Sequence, residues 1–204
     1  MARFPLIFSS SLVKKLLLAG SLLLIGAAVY AFCVFSNSDG DYRSYSADSL
    51  PFQYHICSLT PDEYYPAIHR SAENWNAVPG SYFEFEYQDT TSVSSLGQDG
   101  VNLIFFDEEG INFSESTNAI AFSATFTRTS GGDYRATESD LIYNARDYPP
   151  GLEGESSLID LEGVLTHELG HHMGIAHFGE VGSPPGCGEL LPAATMYGVV
   201  GHGD

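Results

Sequence analysis

The distribution of hydrophobic and polar positions over residues 52–144 predicts one helix among several strands. Ile68, Ala72 and Trp75 recur at helical spacing, and the preceding stretch Thr60-Pro61-Asp62-Glu63 has the N-cap and capping-box residues that begin helices. Other segments are apolar runs, or alternate between apolar and polar residues as strands with one wet face do. Strands are predicted over residues 54–57, 83–87, 101–106, 119–128 and 138–144.

A second helix is predicted from Ser157 to Met173. Ser157 offers an N-cap with Asp160 three residues later, which is a variant of the capping box. No proline interrupts the segment, and its inward apolar face consists of Leu158, Leu161, Leu165 and Leu169. The order strand, helix, several strands and helix predicts an α+β domain in which one sheet packs on two long helices.

The first 36 residues have a different pattern. Basic residues at positions 3, 14 and 15 precede an uncharged run from Leu16 to Phe32, as in secretory signals. This run is also at the lower limit of length for an uncleaved membrane anchor, although small residues at Ala31, Ser36 and Ser38 favour cleavage. We therefore predict a signal peptide or signal anchor over residues 1–36, a linker over 37–51 and a domain over 52–204. The expected location is secreted or extracytoplasmic.

Charge narrows the range of partners. The chain has 8 Lys and Arg against 26 Asp and Glu, a net charge of −18, and every acidic residue lies after position 36. Such a surface repels nucleic acid and anionic membranes. Membrane contact is therefore expected only through an uncleaved N-terminal segment, and we expect a monomer.

The cluster Asp107-Glu108-Glu109 could bind Ca²⁺ through oxygen ligands, or could be a solvated loop.

Three cysteines leave the disulfide state open. If residues 1–36 are removed, Cys57 and Cys187 remain, and an oxidising compartment would allow them to pair. Sequence alone cannot place two Cα atoms within bonding range, so free or otherwise paired thiols are the alternative.

The segment HELGHHMGIAH, residues 167–177, carries the candidate chemistry. His167 and His171 are one helical turn apart, so their imidazoles share a face and suit one zinc ion. Glu168 can lie over the metal without binding it and accept a proton from a water molecule there. Gly174 can adopt the left-handed conformation that ends a helix, and the returning chain would bring in His177 as a third ligand.

Three histidine ligands leave a fourth position open, as a catalytic zinc site requires. Two other histidines have different expected roles. His172 points away from the ligand face and is expected at the surface or behind the ligands. His69, on the first helix, is expected to be a surface or packing residue.

The spacing HExxHxxGxxH with a methionine downstream resembles that of the metzincin metallopeptidases. Met196 followed by Tyr197 is similar to the methionine turn of the matrixin branch, and the stretches 75–80 and 138–142 resemble bacterial matrixin-like proteins. The resemblance covers roughly residues 52–198. Phe178 after the third ligand, and the long connection from His177 to Met196, depart from the matrixin pattern.

The resemblance implies a catalytic domain with a mixed, mostly parallel five-stranded sheet over the active-site helix. It also implies a C-terminal helix, for which the residues after Met196 leave no room. Gly174, Met196 and Tyr197 would be structural residues under the site, with Met196 as a hydrophobic floor. A substrate peptide would add to an edge strand, for which the candidate residues are Ala119, Ile120, Ala121, Phe122, Ser123 and Ala124.

The predicted function is hydrolysis of peptide bonds in a protein or peptide substrate, with one zinc ion and with Glu168 as the general base. Two alternatives remain open: a non-catalytic zinc-binding module that retains the fold, and a hydrolase of non-peptide amides.

Overall fold

The computed structural model describes residues 33–114, 118–152, 158–177 and 195–196. Of the predicted export segment over residues 1–36, the first 32 residues lie outside this part of the chain. Within the described ranges, no helix is long and apolar enough to cross a membrane. The strands are β1 (Cys33–Val34), β2 (Phe52–Cys57), β3 (Phe85–Thr91), β4 (Leu103–Phe106), β5 (Ala121–Ser130), β6 (Asp133–Tyr143), β7 (Pro150–Gly151), β8 (Ile159–Asp160) and β9 (Ile175–Ala176), and the helices are α1 (Tyr65–Asn76) and α2 (Leu161–His172).

The central sheet has five strands in the order β3-β2-β4-β6-β5. The pairs β2–β3, β2–β4 and β4–β6 are parallel, whereas β5 runs antiparallel to β6 and forms one edge. The predicted α+β class, with a five-stranded mixed sheet and two helices, is confirmed. The expectation of a mostly parallel sheet is wrong, because the longest pairing, β5 with β6, is antiparallel.

The two helices pack on each other and on the sheet. Trp75 of α1 donates its indole N–H to the backbone oxygen of Thr166 on α2 at 2.7 Å, and Arg70 forms an ion pair with Glu162 at 2.6 Å. The predicted apolar face of α2 is buried from Leu161 onward, because these residues join the core of the sheet. This packing holds the ligand-bearing helix in a fixed position over the strands.

The beginnings of both helices differ from the predicted capping boxes. A single 3₁₀ turn over Asp62–Tyr64 precedes α1, and the Thr60 hydroxyl is buried without a hydrogen-bond partner. The N-cap of α2 is Asp160, which makes no side-chain capping bond and belongs to the short strand β8, paired with β7. Ser157 lies outside the described residues. Local strand pairing and the 3₁₀ turn therefore replace both predicted side-chain caps.

The N-terminal boundary of the fold also differs from the predicted one. Strand β1 pairs antiparallel with β9, so Cys33 and Val34 are part of the folded domain although the sequence placed them in the export segment. Residues assigned to an export segment and a linker thus pack against the region of the candidate site.

The candidate disulfide between Cys57 and Cys187 is not formed. Cys57 is a buried free thiol, which excludes its pairing with Cys187, and Cys33 is engaged in a disulfide.

The acidic segment after β4 has a structural role through Asp107. This carboxylate is 1% exposed and accepts hydrogen bonds from the backbone of Gly110, Ile111 and Asn112 and from the Asn112 side-chain amide. Burial disfavours the charged form, but these hydrogen bonds outweigh it and hold the pKa of Asp107 below its usual range. Glu108 is exposed. The Asp107 carboxylate is thus committed to its own loop.

Replacing Asp107 by Ala is expected to lower the free energy of unfolding by about 2 kcal/mol at neutral pH, because it removes hydrogen bonds to a buried charge. A lowered folded-state pKa gives stability that is present above the unfolded pKa of about 3.9 and is lost as the pH falls through the folded value. The difference from wild type should therefore shrink below about pH 4. Urea unfolding at neutral and acidic pH measures it.

Glu108→Ala is the matched control, since it removes the same charge from an exposed neighbour. A loss of stability in Glu108→Ala as large as that in Asp107→Ala would contradict the role given to Asp107.

Candidate metal centre

Helix α2 places His167 and His171 next to each other in the candidate site. The two residues are 4% and 8% exposed, and their ring centroids lie 4.8 Å apart with the rings nearly perpendicular. Four residues make slightly more than one turn of helix, so both side chains leave the same face. His167 and His171 therefore share one helix face, as the sequence predicted.

Gly174 ends the helix and turns the chain back. Its φ is +97°, in the left-handed region that glycine adopts without strain, and its N–H donates to the His171 carbonyl at 3.0 Å. After the short strand β9, His177 returns to the other two histidines. Its Nε2 atom lies 3.0 Å from Nε2 of His167 and 2.9 Å from Nε2 of His171.

Backbone carbonyls orient two of the imidazoles. The Nδ1 atom of His167 is 2.7 Å from the Thr195 oxygen, and Nδ1 of His171 is 2.8 Å from the Ile175 oxygen. A carbonyl can only accept, so both Nδ1 atoms carry the proton and the Nε2 atoms of these neutral rings present lone pairs.

The converging nitrogens suit a cation. The Nε2 lone pairs of His167 and His171 both point at Nε2 of His177, which has at most one proton and can satisfy only one of them. Nitrogens bound to one tetrahedral zinc ion at about 2.0–2.1 Å lie about 3.3 Å apart, a few tenths more than the separations found here. The group His167, His171 and His177 can therefore hold a metal ion.

The electrostatics of His171 favour the neutral ligand form. Burial lowers the pKa of His171 to about 3, and nearby His167, His177 and Arg43 lower it further, against a hydrogen bond to Ile175 that raises it. An imidazole without this proton keeps its Nε2 lone pair available for a metal.

Glu168 lies beside the first ligand with an uncommitted carboxylate oxygen. The residue is 7% exposed, and its Oε2 atom is buried without a hydrogen-bond partner. Burial raises the pKa of Glu168 to about 7, opposed by a hydrogen bond from Ser123, whose hydroxyl also donates to the Glu168 backbone oxygen at 2.8 Å. A bound cation would favour the carboxylate. The group is therefore suited to accept a proton near neutral pH.

Met196, the predicted floor residue, is buried against α2. It is 5% exposed and packs in the main core beneath α2. A Cβ atom at Gly170 would collide with the Met196 sulfur and would come within 2.9 Å of Cζ2 of Trp75. Gly170, which the motif leaves unspecified, is thus the small residue that admits this floor. Tyr197 lies outside the described residues.

The candidate substrate strand is an edge strand. Ala121, Phe122, Ser123 and Ala124 lie in β5, whereas Ala119 and Ile120 precede it. Ser123 connects this strand to α2 through the carbonyl of Glu168. The edge strand and α2 are therefore directly joined.

His172 and His69, the two histidines predicted to have roles other than metal binding, are packing residues. His172 is 1% exposed and lies 5.4 Å from the Phe52 ring, so a surface position is wrong for it. Burial lowers the pKa of His172 to about 3. His69 accepts or donates a hydrogen bond with the Tyr54 hydroxyl at 3.0 Å and contacts the Tyr87 ring, as a packing residue does.

Sequence reasoning missed Thr195, Ile175 and Gly170. The first two act through backbone carbonyls, which every residue has, so their side chains give no signal. Gly170 could be found only by knowing which side chains meet it.

Comparison of the chain with models of known protein families gives no match, and comparison with curated proteins gives none either.

Proposed function

We propose that the chain is a zinc-dependent endopeptidase of the metzincin type, most similar to the matrixin branch. The observation that carries the proposal is the convergence of three Nε2 atoms beside the uncommitted carboxylate of Glu168. Three neutral imidazoles suit zinc and leave a fourth position for water or substrate.

Zinc would be held by His167, His171 and His177. When bound, it lowers the pKa of a water molecule and polarises the scissile carbonyl. The backbone carbonyls of Thr195 and Ile175 would keep the rings of His167 and His171 in the tautomer that has its proton on Nδ1 and its lone pair on Nε2. A hydrogen-bonded Nδ1–H also fixes the orientation of the ring.

Glu168 is the proposed general base. It would take a proton from the attacking water and then deliver it to the leaving nitrogen. A mostly buried carboxylate with one free oxygen keeps that oxygen for this proton transfer.

The substrate would be an extended peptide added to the outer edge of β5, which pairs with no further strand in the part of the chain that the structure describes. Such an addition uses main-chain hydrogen bonds, so it suits protein substrates of varied sequence. Residues 119–124 are the proposed contact region, and Ser123 ties this region to α2 beside Glu168.

The metzincin assignment has three supports. They are the spacing from His167 to His177, the buried Met196 under the metal-binding helix, and the mixed sheet with an antiparallel edge strand. The basic and apolar start of the chain supports an exported enzyme.

The test is a proteolysis assay with the purified chain and a denatured protein substrate. We expect about one zinc ion per chain, cleavage that a chelator abolishes, and recovery of cleavage when zinc is restored. Cleavage that persists after the metal is removed would contradict the proposal. One equivalent of zinc without any cleavage would instead identify a zinc-binding module.

A further inference from the structure

The segment from Cys33 to Ser44, called the N-terminal hairpin below, folds back on itself next to the metal centre. Ser36 and Tyr42 pair as an antiparallel bridge, and the Arg43 N–H donates to the Phe35 carbonyl at 2.8 Å. The tip is closed by the Asn37 side-chain oxygen, which accepts from the N–H groups of residues 39 and 41. The hairpin is thus a defined element.

One arm of the N-terminal hairpin pairs with the turn between the second and third histidines. In β1, Cys33 lies opposite Ala176 and Val34 lies opposite Ile175. The Phe35 N–H donates to the Gly174 carbonyl at 2.9 Å. The segment that carries His177, and the Ile175 carbonyl that orients His171, are therefore held by this arm.

The other arm reaches the end of α2 through Arg43. Its guanidinium donates a hydrogen bond to the backbone oxygen of His171 and lies 4.3 Å from the centre of the Phe35 ring. The Phe35 ring is in turn 5.6 Å from the His171 ring. The His171 carbonyl also accepts from the Gly174 N–H, so Arg43 is its second donor. A cation at a helix C-terminus interacts favourably with the helix dipole.

Both ends of the N-terminal hairpin are anchored. Ser44 exchanges backbone hydrogen bonds with β6, donating to Tyr134 at 3.1 Å and accepting from Ala136 at 2.8 Å. At the other end Cys33 is 2% exposed and engaged in a disulfide. A segment held at both ends can transmit its position to the residues that it contacts.

We propose that the N-terminal hairpin is a positioning element of the metal centre, in which Arg43 and Phe35 are positioning residues for His171 and for the turn that carries His177. This inference rests on the proposed binding of zinc by the three histidines. It assigns to the sequence ahead of the predicted domain a role in metal affinity, although none of its side chains touches the metal.

The experiment measures zinc affinity in the full chain by competition with a chelator of known affinity. Arg43→Ala is expected to weaken zinc binding by about tenfold or more, the range for partners that orient metal ligands. Arg43→Lys should be intermediate, because an ammonium group can replace one guanidinium contact but not all of them. Phe35→Leu, which keeps an apolar side chain, should also weaken binding.

Two variants serve as controls for charge and for stability. Arg128→Ala removes the same charge from an exposed position of β5, and Asp107→Ala weakens a loop outside the metal centre. Both should bind zinc as wild type does. The absorption spectrum of the cobalt-substituted protein should change in Arg43→Ala and stay unchanged in the two controls.

The outcomes separate this inference from the proposed function. Wild type that binds no zinc through its histidines would overturn both. Wild type that binds zinc, with Arg43→Ala within about twofold of it and an unchanged cobalt spectrum, would overturn the positioning role alone. An equal loss of affinity in Asp107→Ala would also overturn it, since the effect would then follow from stability.

The same inference constrains where the exported chain can be cut. Of the small residues that favour cleavage, Ala31 precedes the N-terminal hairpin, whereas Ser36 and Ser38 lie within it. Mass spectrometry of the secreted protein is expected to find a start at or before Cys33. A chain that starts after Ser36 or Ser38 and keeps the zinc affinity of the uncut chain would overturn the positioning role.

Discussion

Glu168→Ala is expected to bind zinc nearly as wild type does and to lose peptide hydrolysis by at least about 10²–10⁴-fold, the usual contribution of a general base. The carboxylate is not one of the three converging groups, so its loss leaves the metal ligands and their carbonyl partners in place. The expected change is in kcat, because the proton is transferred only as the reaction proceeds.

The measurement combines zinc content with initial rates on a protein substrate. Glu162→Gln is the matched control: Glu162 is on the same helix, and its carboxylate pairs with Arg70 away from the histidines. It should retain both zinc and activity. Undiminished cleavage by zinc-loaded Glu168→Ala would refute the role of Glu168, while leaving the metal centre intact.

His177→Ala is expected to weaken zinc binding by on the order of 10²–10³-fold. Structural zinc sites with four protein ligands bind with about 10–16 kcal/mol, so an equal share per ligand corresponds to a loss of this size. Without His177, only His167 and His171 would bind the ion. Both lie on one helix face, so the side of the ion that faces away from this helix would lose its histidine ligand. Activity at limiting zinc should fall with the affinity.

Thermal unfolding with and without zinc gives an independent measure. A ligand present at 100 times its Kd stabilises the folded state by about 2.7 kcal/mol, so zinc that raises the melting temperature of wild type should have little effect on His177→Ala. His55→Ala is the control, because His55 pairs with Asp89 on the surface. Equal zinc stabilisation of wild type and His177→Ala would show that His177 is not a ligand.

Much of the candidate site follows from local rules. A pair of histidines four residues apart must share a face once the segment is helical, and a glycine three residues later favours the left-handed turn that the structure has. The central strands could likewise be located from apolar runs and alternation, although β3 buries only Phe85 and no residue of β5 is fully buried. These features depend on neighbours in sequence, which is why His167, His171 and His177 could be named without coordinates.

The N-caps of the two helices are features that local sequence rules predicted wrongly. Thr60 and Asp160 both have the residue types of N-caps, yet neither makes a capping bond. Thr60 precedes a 3₁₀ turn, and Asp160 is already hydrogen-bonded in a two-residue strand pair. A competing partner from elsewhere in the chain decides such cases, and the sequence does not name that partner.

The sequence by itself determined which histidines converge at the candidate metal centre and their order along the chain, because helical spacing and glycine conformation are local. The role of Glu168 as general base stays a prediction. Only the tertiary structure decided what holds these histidines. The carbonyls of Thr195 and Ile175, the space at Gly170 and the contact of Arg43 with α2 each join residues far apart in the chain. Such contacts arise from packing, and backbone groups and two-residue strands leave no periodic signal in the sequence.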